Sequence, residues 1–192
     1  MIKIAVIGDI GSGKSYVAKQ FGFPVFDADA EVAKLYKQSR GCYRKLKKKL
    51  PAYITSFPII KSMLVSAIIS NKNNLKEITR IVHPLIRKRM NFFLKKNKNK
   101  KIIVLDIPLL LENKIYKNNF VLVFVDAKQK EIRKRLKKRS NFNIQIFNKL
   151  KKLQLAVEKK RKKSDFIIKN NFRNDSAKKN VKKTIEKIFA NA

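Results

Sequence analysis

Residues 1–21, MIKIAVIGDIGSGKSYVAKQF, carry the reading of the whole chain. Residues 2–7 are a short, largely β-branched apolar run, the pattern of a strand buried on both faces of a parallel sheet. Residues 14–21 read as a helix. Between them residues 8–15, GDIGSGKS, satisfy G-x-x-x-x-G-K-[ST]. That order has a physical reason. A strand-to-helix turn aims backbone N–H groups and the positive end of the helix at one point, which suits a phosphate. Gly8, Gly11 and Gly13 let the backbone approach phosphate oxygens without a Cβ in the way. Lys14 then reaches the β- and γ-oxygens, and the Ser15 hydroxyl is placed for Mg²⁺. The same run is too short for a membrane span and lacks a signal-peptide cleavage site, so it reads as a strand.

Further along, residues 24–26 form a second short strand closed by Asp27, and 29–38 have helical spacing at Val32, Leu35 and Tyr36. A strand, turn, helix, strand series implies a crossover and a parallel sheet. Residues 101–107 and 120–125 are two more buried strands, each running into an aspartate, and 166–168 are a fifth. The fold class is therefore α/β with a five-stranded parallel sheet. Residues 41–83, with mixed periodicity, are expected to form short helices of an inserted subdomain. A helix over 84–95 is expected to carry Pro84 in its first turn, where the missing donor costs nothing. Two basic helices, 129–139 and 144–163, read as a hairpin. A last helix over 175–189 takes Asp175 or Ser176 as its cap.

The chain has 48 Lys and Arg against 13 Asp and Glu, a net charge of +35. Such charge attracts polyanions, and a nucleic-acid-binding P-loop NTPase is the alternative it raises. The lysines, however, are scattered along the entire chain among abundant Asn, Ile and Phe, as in proteins of AT-rich genomes. Nucleic-acid binders tend to gather arginines and stacking aromatics on one stripe. The lone Cys42 forms no internal disulfide, which fits a reducing cytoplasm. There is no N-K-x-D guanine-reading motif and no D-x-x-G switch, which argues against a GTPase and for ATP.

Several other residues can carry chemistry. Asp29, just past the second strand, can orient an acceptor hydroxyl and take its proton, or cap a helix. Asp106, at the end of the third strand, can meet the hydration shell of Mg²⁺ or serve a structural role. Arg135 and Arg139 lie four apart, hence on one helical face, where a closing lid would present guanidinium groups to a migrating phosphoryl group; basic residues on such helices are also often merely solvated. His83, the only histidine, fits local hydrogen bonding before Pro84 better than proton transfer.

Segments 8–15 (GDIGSGKS), 26–29 (FDAD), 83–87 (HPLIR), 108–112 (PLLLE) and 164–170 (SDFIIKN), with Arg135, Arg139 and Gln154 in the basic hairpin, together resemble the dephospho-coenzyme A kinase family along the chain. The resemblance implies a nucleoside-monophosphate-kinase-like P-loop core (1–38, 101–128, 164–192), an acceptor-side helical subdomain (39–100) and a lid (129–163). It implies ATP and Mg²⁺, with dephospho-coenzyme A as acceptor at its ribose 3′-hydroxyl in the final step of coenzyme A biosynthesis. No obligate protein partner, membrane or specific nucleic acid is implied. Asp29 becomes the base, with Lys14 and Arg139 also catalytic. Gly8, Gly11, Ser12, Gly13, Lys14, Ser15, Tyr16 and Arg135 fall to ATP, Asp29, His83 and Arg87 to the acceptor, and Ser15 and Asp106 to the metal. The chain departs from the family pattern at Asp9, usually glycine, at Tyr16, usually a small hydroxyl residue, and in a shortened segment at 56–64, where Lys61 stands for an expected arginine.

Overall fold

The computed structural model describes residues 1–113, 120–138 and 142–190. Its contacts divide into two units. The first comprises Met1–Asp27, Asn97–Asn143 and Lys149–Ala192; the second comprises Ala28–Lys96 and Ile144–Asn148.

The first unit is built on strands β1 (Ile2–Gly8), β2 (Val25–Asp27), β3 (Ile102–Asp106), β4 (Phe120–Asp126) and β5 (Phe166–Lys169). They form one sheet in the order β2-β3-β1-β4-β5, parallel throughout. Successive residues Ile4, Ala5, Val6 and Ile7 are all buried, so both faces of the central strand are covered. On one face Ile4, Val6, Val104, Val123 and Val125 pack with Val17 and Ala18 of α1 (Lys14–Gln20), with Phe21 that caps its C-terminus, and with Val181 and Ile188 of α9 (Asn174–Ala190). α8 (Val157–Lys162) packs on β1. Continuous apolar strands are therefore the consequence of helices on two sides.

The expected second basic helix is interrupted. α6 (Gln129–Lys137) is followed by α7 (Ile144–Leu153), and α8 begins only at Val157. The break lies where the Leu155 amide donates to Glu112 Oε1 at 2.9 Å, so a side chain from a distant turn replaces a rung of the helical ladder. α9 begins at Asn174, which places Asp175 inside the first turn and not at a cap.

The second unit holds α2 (Ala28–Gln38), α3 (Arg40–Lys49), α4 (Lys61–Ser70) and α5 (Lys72–Lys96). α2, α3 and α4 each pack on α5. Cys42, Leu46 and Leu50 recur every four residues and join Leu35, Ile54, Ile59, Leu64, Ala67, Ile78 and Val82 in one core. Ser39 caps α3 by accepting from the Cys42 amide at 3.2 Å. α2 groups with these helices, where the sequence-based division at 38/39 keeps it with the sheet. Glu31 pairs with Arg89 of α5 at 2.7 Å, and the Ile59 amide donates to the Tyr36 carbonyl at 3.0 Å.

Pro84 corrects the sequence reading. It does not open a helix over 84–95 but sits inside the 25-residue α5. An interior proline costs roughly 3 kcal/mol. Burying Ile78, Val82 and Met90 on the same helix returns about 1.5–3 kcal/mol each, so one continuous helix wins.

Candidate active site

Gly8 ends β1 and opens the loop. A Cβ there would lie 2.8 Å from Ser12 Oγ and 2.9 Å from the Val125 carbonyl, so only glycine lets the chain turn this close to β4. Gly13 precedes α1 in the left-handed region, with φ of 89°, and a Cβ would collide with Asn170 Nδ2. Asn170, just beyond β5, reaches across to the loop: its amide nitrogen donates to the Ser12 carbonyl at 2.9 Å, and its oxygen accepts from the Phe172 amide at 3.0 Å.

Inside the loop Lys14 is buried, and its Nζ donates to the Asp9 carbonyl at 2.7 Å. The Ser12 amide donates to the same carbonyl at 3.2 Å. Ser12 Oγ is buried and has no hydrogen-bond partner. Among the described residues nothing accepts from the amides of Gly11 and Gly13. The loop thus gathers amides, a hydroxyl and a lysine within one turn, the kind of donor set an oxyanion requires. Ser15 is exposed in the first turn of α1. Asp106 is buried at the end of β3, level with Val6 on one side and Asp27 on the other.

Asp9 is the unanticipated centre of this loop. Its carboxylate accepts from the Ile10 amide at 2.7 Å, from Gln129 Nε2 at 2.9 Å and from Lys151 Nζ at 2.5 and 2.6 Å. Burial pushes its pKa upward, but the hydrogen bonds from Lys151 and Gln129 and the Lys151 charge outweigh this and hold it below the usual carboxylate value. It is ionised at neutral pH. Beneath the loop, buried Lys160 pairs with Glu112 at 2.7 Å and lies 3.5 Å from the Gly8 carbonyl. Glu112, from the PLLLE segment, is therefore tied to the base of the loop.

Arg135 of α6 stacks its guanidinium over Phe172, 4.5 Å from the ring centroid. Tyr16 turns towards α9, where its hydroxyl donates to Asn174 Oδ1 at 3.0 Å. Arg139 lies outside the described residues.

In the helical unit Asp29 is the second residue of α2, exposed in the first turn. A carboxylate there complements the helix N-terminus, but the cap position precedes Ala28. His83 and Arg87 lie four apart on α5, Arg87 exposed and His83 half-buried. Burial and the Arg87 charge both press the His83 pKa below its ordinary value, so the imidazole is neutral near pH 7. Cys42 is buried and its thiol is pushed up by that burial, which leaves it unreactive.

A dephospho-CoA kinase family profile matches residues 2–176. The chain belongs to the dephospho-CoA kinase family. It is 34% identical over 193 residues to a dephospho-CoA kinase of Wolbachia pipientis wMel, covering 98% of both chains. Among solved structures it is similar to TT1252 from Thermus thermophilus, with a TM-score of 0.76, 25% identity and coverage of 99% of this chain and 97% of that one. It shares its fold with the dephospho-CoA kinase from Campylobacter jejuni, at a TM-score of 0.68, 24% identity and coverage of 97% and 96%. Kinase chemistry follows from membership of this family, and these relatives lend no support to the polyanion-binding alternative that the charge raised.

Asn170, Gln129 and Lys151 are the loop-supporting residues that sequence reasoning passed over as such. Asn170 had a signal, since residues past the ends of parallel strands line the ligand edge of such a sheet. Lys151 had none among so many lysines.

Proposed function

We propose that this chain transfers the γ-phosphoryl group of ATP to the 3′-hydroxyl of the ribose of dephospho-coenzyme A, completing coenzyme A in the cytoplasm. The observation that carries the reading is the loop 8–15, which gathers Lys14, the Gly11 and Gly13 amides and the unsatisfied Ser12 hydroxyl in one strand-to-helix turn of a member of this family.

The ribose oxygen attacks the γ-phosphorus, the bond from that phosphorus to the β–γ bridging oxygen breaks, and ADP departs. The hydroxyl proton passes to the Asp29 carboxylate, the only role asked of it. Lys14 and the loop amides hold charge on the β- and γ-oxygens, and most of the rate comes from that positioning and neutralisation. Arg135 and Phe172 form a stacked pair suited to an aromatic base, and Arg139 is assigned to the migrating phosphoryl group. Ser15 and Asp106 would hold Mg²⁺, which neutralises phosphate charge when bound. The ion takes few protein ligands and retains waters, which suits two oxygen donors better than a cage; among the described residues no group of three or more His, Cys, Asp or Glu could hold a metal. In this reading helices 39–100, with His83 and Arg87, supply the acceptor side, and 129–163 is the lid.

A cytoplasmic setting is supported by the single, buried cysteine. Among the described residues no helix is long and apolar enough to cross a membrane.

The test is ADP release measured with dephospho-coenzyme A, adenosine, nucleoside monophosphates and RNA as separate acceptors, with ATP and GTP as competing donors. Turnover should appear with dephospho-coenzyme A and ATP. Stimulation by RNA alone would sink the reading.

A further inference from the structure

We propose that Asp9 and Lys151 form a charge-compensating pair inside the phosphate loop, in which Lys151 cancels a built-in carboxylate so that the loop accepts a nucleoside triphosphate. The inference rests on the reading of 8–15 as the phosphate site.

A carboxylate one residue into such a loop is electrostatically misplaced, because like charges repel an incoming polyphosphate. Asp9 is nevertheless only 5% exposed in its side chain and is ionised. Its charge is met on three sides. Lys151 Nζ lies 2.5 and 2.6 Å from its two oxygens, Gln129 Nε2 donates at 2.9 Å, and the Ile10 amide donates at 2.7 Å. Of these three only Lys151 brings a full positive charge to the carboxylate. Lys14 contacts the main-chain carbonyl of Asp9 and not its carboxylate, so it stays assigned to the phosphates.

The arrangement makes Lys151 a positioning residue whose work is to remove a repulsion. A different role, direct contact with phosphate, predicts a different pattern among variants, and the two can be separated. If Lys151 only neutralises Asp9, then losing both charges restores the loop. If Lys151 is itself a phosphate ligand, losing both leaves the loop as weak as losing Lys151 alone.

The experiment is calorimetric titration of a non-hydrolysable ATP analogue with Mg²⁺ into the unmodified chain and the Lys151→Met, Asp9→Asn and Asp9→Asn/Lys151→Met variants, alongside the KM for dephospho-coenzyme A and the melting temperature. Lys151 lies on a helix and is 41% exposed in its side chain, so methionine is accommodated; Asp9→Asn keeps the side-chain shape and one oxygen to accept from the Ile10 amide. Lys151→Met should weaken the analogue on the order of tenfold with the acceptor KM unmoved. Asp9→Asn should bind at least as tightly as the unmodified chain, and the double variant should return to within about threefold of it. A double variant as weak as Lys151→Met, or an Asp9→Asn variant weaker than the unmodified chain, would overturn the proposal alone. Absence of analogue binding by the unmodified chain would overturn the phosphate-loop reading and this proposal with it.

Discussion

The phosphate loop of the sheet unit and the acceptor-side candidates of the helical unit are held in different ways. Around the loop the backbone and its lysine are fixed by neighbours, while the Ser12 hydroxyl and the Gly11 and Gly13 amides are left open among the described residues. Lys14 is bonded to the Asp9 carbonyl, Ser12 to Asn170, and Gly8 lies against Val125. In the helical unit Asp29 and Arg87 are exposed on helical surfaces, and His83 is half-buried beside Arg87. Binding of phosphate calls for preorganised donors with little freedom, whereas an acceptor hydroxyl needs one carboxylate in reach and a surface that can be rebuilt. The contrast teaches that loss of a group should act differently in the two places. Near the loop, loss of a glycine that shapes the backbone should cost stability as well as binding; on the helices, loss of the proton acceptor should act on chemistry with little cost in stability.

The largest effect is expected at Lys14. Lys14→Ala should lower turnover by at least about a hundredfold, since its interaction strengthens as charge shifts in the transition state. Circular dichroism should show the fold retained. Turnover near the unmodified level would break the assignment of the loop.

Asp29→Asn sharpens the comparison from the helical side. The substitution keeps the shape and removes the anionic proton acceptor, so turnover should fall on the order of a hundredfold with ATP affinity unchanged and stability reduced by no more than about 1 kcal/mol. Surviving turnover with a collapse in melting temperature would make Asp29 a structural residue of α2, and the base would be sought at Asp27 or Asp106.

Gly13→Ala probes the rigid side by stability. The left-handed backbone and the collision with Asn170 should together cost about 1–3 kcal/mol in chemical denaturation, with ATP affinity falling in parallel. A variant as stable as the unmodified chain would show that the loop is more adaptable than its contacts indicate.

The smallest effect concerns His83. Its folded pKa lies below the ordinary value of 6.5, so the unfolded chain takes up the proton first as pH falls. Its contribution to stability is complete above that value and is lost as pH drops through the window beneath it. Denaturation measured at pH 7.5 and 5.5 should show a smaller pH-dependent loss for His83→Gln than for the unmodified chain. Equal losses would mean that burial and Arg87 do not govern the imidazole.

The loop and the sheet were legible because their signals are local. Residues 2–7, 101–107 and 120–125 had to be largely apolar once helices covered both faces, and the order of 8–15 follows from what a phosphate demands of a backbone. The helical unit was less legible. Lysines and asparagines interrupt its apolar spacing, so the helix over Lys72–Lys96 read as beginning only at Pro84, when buried Ile78 and Val82 already belong to it. The break between α7 and α8 was equally hidden, because it depends on Glu112, a residue far away in sequence.

By itself the sequence determined the parallel five-stranded sheet, the phosphate loop and its lysine, the carboxylates at the strand ends and the family resemblance, since each follows from short-range pattern. Only the tertiary structure decided which of 48 cationic side chains meet a particular carboxylate. Charge count and helical spacing are the same for Lys151 as for its neighbours, but a charge pair forms at about 3 Å and the energy falls with distance and solvent exposure. It took the packed chain to bring Lys151 and Gln129 onto Asp9, Lys160 onto Glu112 and Asn170 onto the loop.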